Sequence, residues 1–335
     1  MKICMIGCGS FARLSHGPAQ QRYAAGHADV ELGACCDVDE NRVRDYSRTF
    51  GFSRTYADLY GMLAAEEPDA VVLAVPPEST GRAASLVLER GIPLLLEKPP
   101  GMTPAELGQL IRAAEKGGAK AQVGFNRRYM PVVRRAQEIL DAAFAPTAAA
   151  RIDYDMTRFD RWDRDFSTTA IHAIDTALFL ARSPFRAAEI RYQAQGQDDR
   201  ETVNVAIELE CVSGTRVRIS IQPVAGLNAE SATLHSVGQS LAIRIPLFGQ
   251  SRRSDRLEHW RGNELAASFA DDDADVVERM GIYSEIAAFF DAVRSGAELT
   301  PRLQDCQQQV ELMEAIRLRR TGQFEFSRTH AIGQH

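Results

Sequence analysis

The sequence predicts an α/β protein of two domains: an N-terminal doubly wound parallel sheet, then an α/β domain on an open, mainly antiparallel sheet. Three observations predict it. Residues 1–123 alternate wholly apolar runs with amphipathic segments, as in a parallel sheet covered by helices on both faces. Beyond residue 124 the runs instead alternate apolar with polar residues, the habit of antiparallel strands with one solvated or interfacial face. The 335 residues also exceed what one compact core of average size holds.

In order, residues 2–6 read as a strand and Gly7-Cys8-Gly9-Ser10-Phe11-Ala12 as a G-x-G-x-x-A loop opening a helical segment. A second strand, 30–36, ends at Asp37, followed by a helix at 40–50, a short strand step at 53–55 and a helix at 56–65. The strand at 70–75 is closed by Pro76-Pro77, and the helix at 79–90 is ended by Gly91. The strand at 92–96 stops at Glu97-Lys98-Pro99-Pro100. Thr103 and Pro104 open another helix as N-cap and first-turn proline, and 121–125 is the last strand of the first domain. The second domain, 124–335, reads as strands at 148–156, 189–195, 203–211, 215–222 and 232–237, interrupted by a helix at 168–182. Helices at 282–295 and 303–320 are free to pack back on the first domain, and the tail from 327 reads as frayed.

The first strand, glycine turn, helix N-terminus and acidic second strand together point to a dinucleotide. The turn lets backbone N–H groups approach a pyrophosphate, the helix N-terminus favours its charge, and Asp37 can hold a ribose diol. A carboxylate there repels a 2′-phosphate, so NAD is expected over NADP, although Arg42 lies close enough in sequence to soften the exclusion. The expected cofactor contacts are Gly7, Gly9, Ser10, Phe11, Ala12, Asp37, Arg42, Pro76, Glu97 and Lys98.

Composition narrows the rest. A net charge of −6 without a sustained basic stripe argues against nucleic acid as a partner. No apolar run approaches the roughly 20 residues needed to cross a bilayer, and the N-terminus reads as a buried strand rather than a signal segment. The six cysteines show no C-x-x-C pair and no zinc spacing, so no metal is expected and a reducing, cytoplasmic setting is the simplest account.

Gly7-x-Gly9-x-x-Ala12, Glu97-Lys98-Pro99, Gly124-Phe125-Asn126-Arg127-Arg128-Tyr129 and His172-x-x-Asp175 occur in the order seen in the Gfo/Idh/MocA oxidoreductases. The closing segment from Tyr283-x-Glu285 to Gly322 resembles that family too, so the resemblance covers nearly the whole chain. It implies a Rossmann domain, NAD(P), and hydride transfer at a secondary alcohol of a sugar, cyclitol or derivative.

Read from the residues, Lys98 follows the carboxyl end of a parallel strand, where open α/β sheets place ligands. Beside a cationic nicotinamide its amine can take the alcohol's proton, or its ammonium can polarise the substrate oxygen. Glu97 is expected to pair locally. On the helix at 168–182, Thr168, His172 and Asp175 form a polar stripe beside an apolar one, and a histidine near a carboxylate can carry a proton. The resemblance makes His172 catalytic with Lys98. The family's aspartate one turn before that histidine is replaced by Thr168, which leaves the trio incomplete; Asp165 reaching in from the loop and Asp175 orienting His172 are the alternatives. Asn126, Arg127, Tyr129, Arg158, Trp162, Arg164, Thr168 and Asp175 are the expected substrate contacts, arginines suiting an acid group and tryptophan a sugar face.

An NAD(P)-dependent oxidoreductase acting on a small molecule is the leading reading. A dinucleotide-binding regulatory protein without turnover and a reductase of an unsaturated, non-sugar substrate are the others. A homo-oligomer through the C-terminal sheet is expected, on the ground that its alternating apolar face would otherwise be exposed.

Overall fold

The computed structural model describes residues 1–144, 149–249, 255–270 and 274–326. The predicted fold class is found: a parallel sheet of six strands and a mostly antiparallel sheet of nine among the described residues. The chain divides into two compact units, Met1–Asn126 with Gly281–Val310, and Arg127–Met280 with the residues from Glu311 onward.

In the first unit β1 (Lys2–Ile6), β2 (Glu31–Cys36), β3 (Arg54–Tyr56), β4 (Ala70–Leu73), β5 (Leu94–Glu97) and β6 (Ala121–Gly124) lie in the order β3-β2-β1-β4-β5-β6. The runs of β1, β4 and β6 are buried almost throughout because helices cover both faces, which is why they contain few polar residues. The segment read as one helix after the glycine loop is two, α1 (Ser10–Leu14) and α2 (His16–Gly26), broken at Ser15, whose hydroxyl donates to the Phe11 carbonyl. Asp39 caps α3 (Glu40–Phe50) by accepting from the N–H groups of Asn41 and Arg42. Asp58 likewise caps α4 (Leu59–Glu66), so this helix starts three residues later than expected and Tyr56 stays in β3. Helices α5 (Pro77–Leu88) and α6 (Pro104–Gly117) each carry a first-turn proline.

The chain returns to this unit late. Helix Ile282–Ser295 packs on α2, where Tyr23 Oη donates to Asp291 Oδ1 at 2.5 Å and the Tyr23 ring lies tilted against Phe290. The exposed edge of β6 is closed by the Val123 N–H donating to the Pro301 carbonyl at 2.9 Å. The expected helix at 303–320 opens with a 3₁₀ turn, Leu303–Cys306, before Gln307–Arg317.

At the amino end of this sheet Glu66 is sealed in, taking Arg54 through two nitrogens and the Tyr56 hydroxyl at 2.6 Å. These hydrogen bonds, those of Arg54 above all, hold its carboxyl down at about 2 against burial. A carboxyl whose folded pKa lies below its unfolded one stabilises the fold above the unfolded value, near 4.3, and this is lost as pH falls toward 2. Because Arg54 is half exposed, we expect Glu66→Gln to cost only about 1 kcal/mol, or about 2–4 °C in Tm, near neutrality. Melting curves between pH 6 and 2 should show that gap closing; a gap constant with pH would refute the pairing.

The second unit's sheet runs β14-β13-β12-β11-β7-β10-β9-β8-β15, with β7 (Arg151–Thr157), β8 (Phe185–Gln197), β9 (Arg200–Cys211), β10 (Arg216–Gln222) and β11 (Ala229–Ser236). The remaining members are β12 (Gln239–Ile245), β13 (Arg256–Arg261), β14 (Glu264–Phe269) and β15 (Gly322–Glu325). Among the described residues of this sheet, only β7 and β10 pair in parallel. Part of the strand expected at 148–156 and the whole tail from 327 lie outside the described residues. The last four strands and a helix, α7 (Pro131–Ile139), are additions to the sequence reading. The inward residues of β7 and β10 (Ile152, Tyr154, Met156, Val217, Ile219 and Ile221) are fully buried on the face that packs against α8 (Ser167–Ala181). This corrects the expectation of an apolar open face. The opposite face of these strands is polar and laced with ion pairs, Arg151 and Arg218 on Asp153 and Arg216 on Glu210.

Candidate functional site

The four strands β1, β2, β4 and β5 end on one side of the first sheet, and their ends carry the glycine loop, Asp37, Pro76 and Glu97-Lys98. The strand order reverses between β1 and β4, so this edge is the switch point at which open α/β sheets bind ligands.

Gly7 has φ of +89°, and its N–H donates to the Cys36 carbonyl at 2.8 Å, tying the loop to β2. A Cβ there would lie 2.2 Å from the Ala74 carbonyl oxygen. At Gly9, which precedes α1, a Cβ would meet nothing within 4 Å. Open space beside a helix N-terminus suits an anionic group approaching the backbone. Asp37 is buried and tightly used. Its Oδ2 accepts from the Cys8 N–H at 2.8 Å and its Oδ1 from the Asp39 N–H at 3.0 Å. Nη1 of Arg42, itself half exposed, lies 3.2 and 3.4 Å from the two oxygens. A carboxylate has about four acceptor sites, so a ribose diol would take the places Arg42 fills.

Pro76 precedes α5, and its carbonyl accepts from the buried Thr80 hydroxyl. Glu97 closes β5 with Oε1 2.7 Å from Nε2 of His16, a buried residue of α2 that sequence reasoning passed over. Lys98 follows it, half-buried, and Asn126 is buried just beyond β6. The cysteine expectation meets inert thiols: burial pushes Cys4, Cys36 and Cys211 up to about 12, and a hydrogen bond with Cys35 together with burial raises Cys8 further.

In the second unit, His172 and Thr168 sit half-buried on α8. The two carboxylates expected to replace the family's aspartate have other employment. Asp175 is gripped by Arg128 through Nη2 at 2.5 Å and Nε at 2.9 Å, and Asp165 accepts from the Ser167 N–H at the start of α8. Arg127 and Arg158, expected to face substrate, are buried and share one partner. Glu230 accepts from Arg127 Nε and Nη2 at 3.0 and 2.8 Å, and from Arg158 Nη2 at 3.0 Å. Burial opposes the Arg127 charge and the Glu230 carboxylate restores it. Burial first, then Glu230, pushes the nearby Tyr154 phenol well up. The signal for Glu230 was in the sequence: it shares the inward parity of Ala232 and Leu234, where a carboxylate requires a buried partner.

Tyr129 is buried in the turn Asn126–Tyr129, and Arg164 is exposed. The Trp162 indole donates to Asp160 at 2.7 Å and carries the Arg200 guanidinium 4.6 Å from its ring centre. One ring face is therefore already covered, by a residue the sequence reading omitted.

Residues 1–125 match a family described as oxidoreductase family, NAD-binding Rossmann fold. Among individual proteins, D-apiose dehydrogenase of Paraburkholderia graminis is 28% identical over 190 residues, 53% of this chain and 49% of that protein. Inositol 2-dehydrogenase 2 of Saccharopolyspora erythraea is 29% identical over 143 residues, 42% and 41% of the two chains. The chain spans about half the length of the curated relatives it matches. Over whole chains, a dehydrogenase from Chromobacterium violaceum superposes with TM-score 0.79 at 21% identity, covering 94% of this chain and 93% of that one. Levoglucosan dehydrogenase, solved with NADH and levoglucosan, superposes with TM-score 0.81 at 17% identity, covering 97% and 99%. These likenesses establish the fold.

Proposed function

We infer that this chain, whose residues 1–125 form the NAD-binding Rossmann fold of an oxidoreductase family, moves a hydride between a nicotinamide and a secondary alcohol or ketone of a sugar, cyclitol or derivative. The observation that carries this reading is the shared carboxyl edge of β1, β2, β4 and β5, which holds Gly7, Asp37, Pro76 and Lys98. Gly7 holds the turn against the end of β4, Gly9 leaves the backbone open to a pyrophosphate, and Asp37 has the chemistry for a ribose diol once Arg42 yields. The relatives named as apiose and inositol dehydrogenases support the polyol class.

The nicotinamide, when bound, accepts or returns the hydride. Lys98 would hold the substrate oxygen through its ammonium, or take the hydroxyl proton as an amine, and His172 is the second proton carrier of this reading. Arg128 holds Asp175 in place on the helix of His172 through two hydrogen bonds. The six buried thiols suit a reducing compartment such as the cytoplasm.

The test is a 340 nm screen of sugars, cyclitols, sugar acids and ketoses with NAD, NADP and their reduced forms. Lys98→Met should lower kcat by about 100-fold or more, the scale of general acid–base catalysis, in protein that melts as the parent does. Thr168, where the family has an aspartate, favours a second reading as a binding protein. NADH binding with no turnover across the screen would sink the first reading and leave the binding protein and the reductase of an unsaturated, non-sugar substrate.

A further inference from the structure

We propose that His16 is a positioning residue for Lys98, acting through Glu97, which rests on the role given to Lys98 above. His16 opens α2 and has 1% of its surface exposed, yet it is polar and its partner is a carboxylate 81 positions away. A carboxylate only accepts, so His16 Nε2 carries a proton and donates it to Glu97 Oε1. The His16 ring also meets, edge to face, the ring of Phe11 in α1 at the end of the glycine motif, with centroids 5.6 Å apart at 78°. One side chain therefore touches both the dinucleotide motif and the strand end that bears Lys98.

The room for Glu97 is built into the sheet. Glu97 pairs in register with Gly124, and a Cβ at Gly124 would come within 3.4 Å of Glu97 Oε1 and 3.3 Å of the Leu96 carbonyl. The carboxylate is confined between β6 and His16 and has little freedom to turn elsewhere. Lys98 is the next residue, and the chain from it runs into Pro99 and Pro100, both buried, so a displaced Glu97 hands its movement to the Lys98 backbone. A buried polar pair costs desolvation that an apolar pair would avoid, and here it stands where precise placement of an amine is needed.

The chain has an unusual advantage for testing this: its only lysines are 2, 98, 116 and 120. Reductive ¹³C-methylation of the full-length protein gives one titratable resonance per lysine, with Lys98→Arg assigning the relevant one. In His16→Ala the Lys98 midpoint should move by about half a pH unit or more while the other three hold still. His16→Gln, whose amide reaches as far as Nε2, should return Lys98 to its original midpoint. His16→Asn, whose amide falls short, replaces the alanine variant if that does not fold. The proposal is overturned if Lys98 titrates unchanged, if all four lysines shift together as in general loosening, or if glutamine fails to restore it. No substrate enters the measurement, so its failure leaves the turnover screen to judge Lys98 by itself.

Discussion

Gly7→Ala is expected to lower NADH affinity by about 100-fold or more, equivalent to about 2.7 kcal/mol, or to prevent accumulation of soluble protein. Two penalties combine. The φ of +89° costs an L side chain roughly 1–2 kcal/mol, and the added Cβ lands 2.2 Å from the Ala74 carbonyl oxygen. Relief requires the loop to lift from β4, which also stretches the bond from the Gly7 N–H to Cys36. Gly9→Ala is the internal control, since its Cβ meets no atom within 4 Å and the fold should be unaffected. Calorimetric titration with NADH beside thermal melts of both variants separates binding from folding. An alanine at Gly7 that binds within twofold of the parent would refute the assigned loop geometry.

Glu230→Ala should destabilise the second unit by about 3–5 kcal/mol, the usual consequence of removing one partner from a buried charge cluster. At about 2–4 °C per kcal/mol this is roughly 6–20 °C in Tm. Two guanidiniums would be left buried without their carboxylate, Arg127 stripped of three hydrogen bonds and Arg158 of one. Glu230→Gln keeps an acceptor oxygen and should fall between parent and alanine. Adding Arg127→Met to Glu230→Ala should recover part of the loss, because an uncompensated buried charge is then removed. Denaturant unfolding of the four proteins tests the cluster; a loss below about 1 kcal/mol for Glu230→Ala would show that water reaches it.

How much of this was legible follows from where the information lies. The helices at 40–50 and 282–295 were read with their exact limits, since Asp39 and a left-handed Gly51 bracket the first and glycines 281 and 296 the second. The strands of the first sheet were visible as apolar runs because both faces are covered. By contrast β13 contributes only Leu257 to the apolar core, while His259 takes the next inward place and bonds Gln239, so the strand reads like a loop. Strand β12 does alternate, through Leu241, Ile243 and Ile245, and was passed over despite that signal.

The site divides in the same way. Gly7, Asp37 and Lys98 follow from local motif order, whereas the occupations of Arg127 and Asp175 are tertiary facts. Arg127 meets Glu230 across 103 positions and Arg128 meets Asp175 across 47. Nothing in a local window tells a guanidinium bound for a buried glutamate from one that faces a ligand.

The late return of the chain to the first unit has a consequence for biosynthesis. Synthesis delivers β1 to β6 first, but helix Ile282–Ser295, which covers α2, emerges only after all of residues 127–280. At ribosomal rates that interval is roughly 8–30 s. Throughout it, the nascent dinucleotide unit carries an unclosed β6 edge and a bare Tyr23, with the strands of the second sheet extruding beside it. The unit begun first is closed only after residues 127–280 of the second have been made, so a ribosome stalled near residue 280 should present a chaperone-binding surface on the N-terminal half, and release should extinguish it.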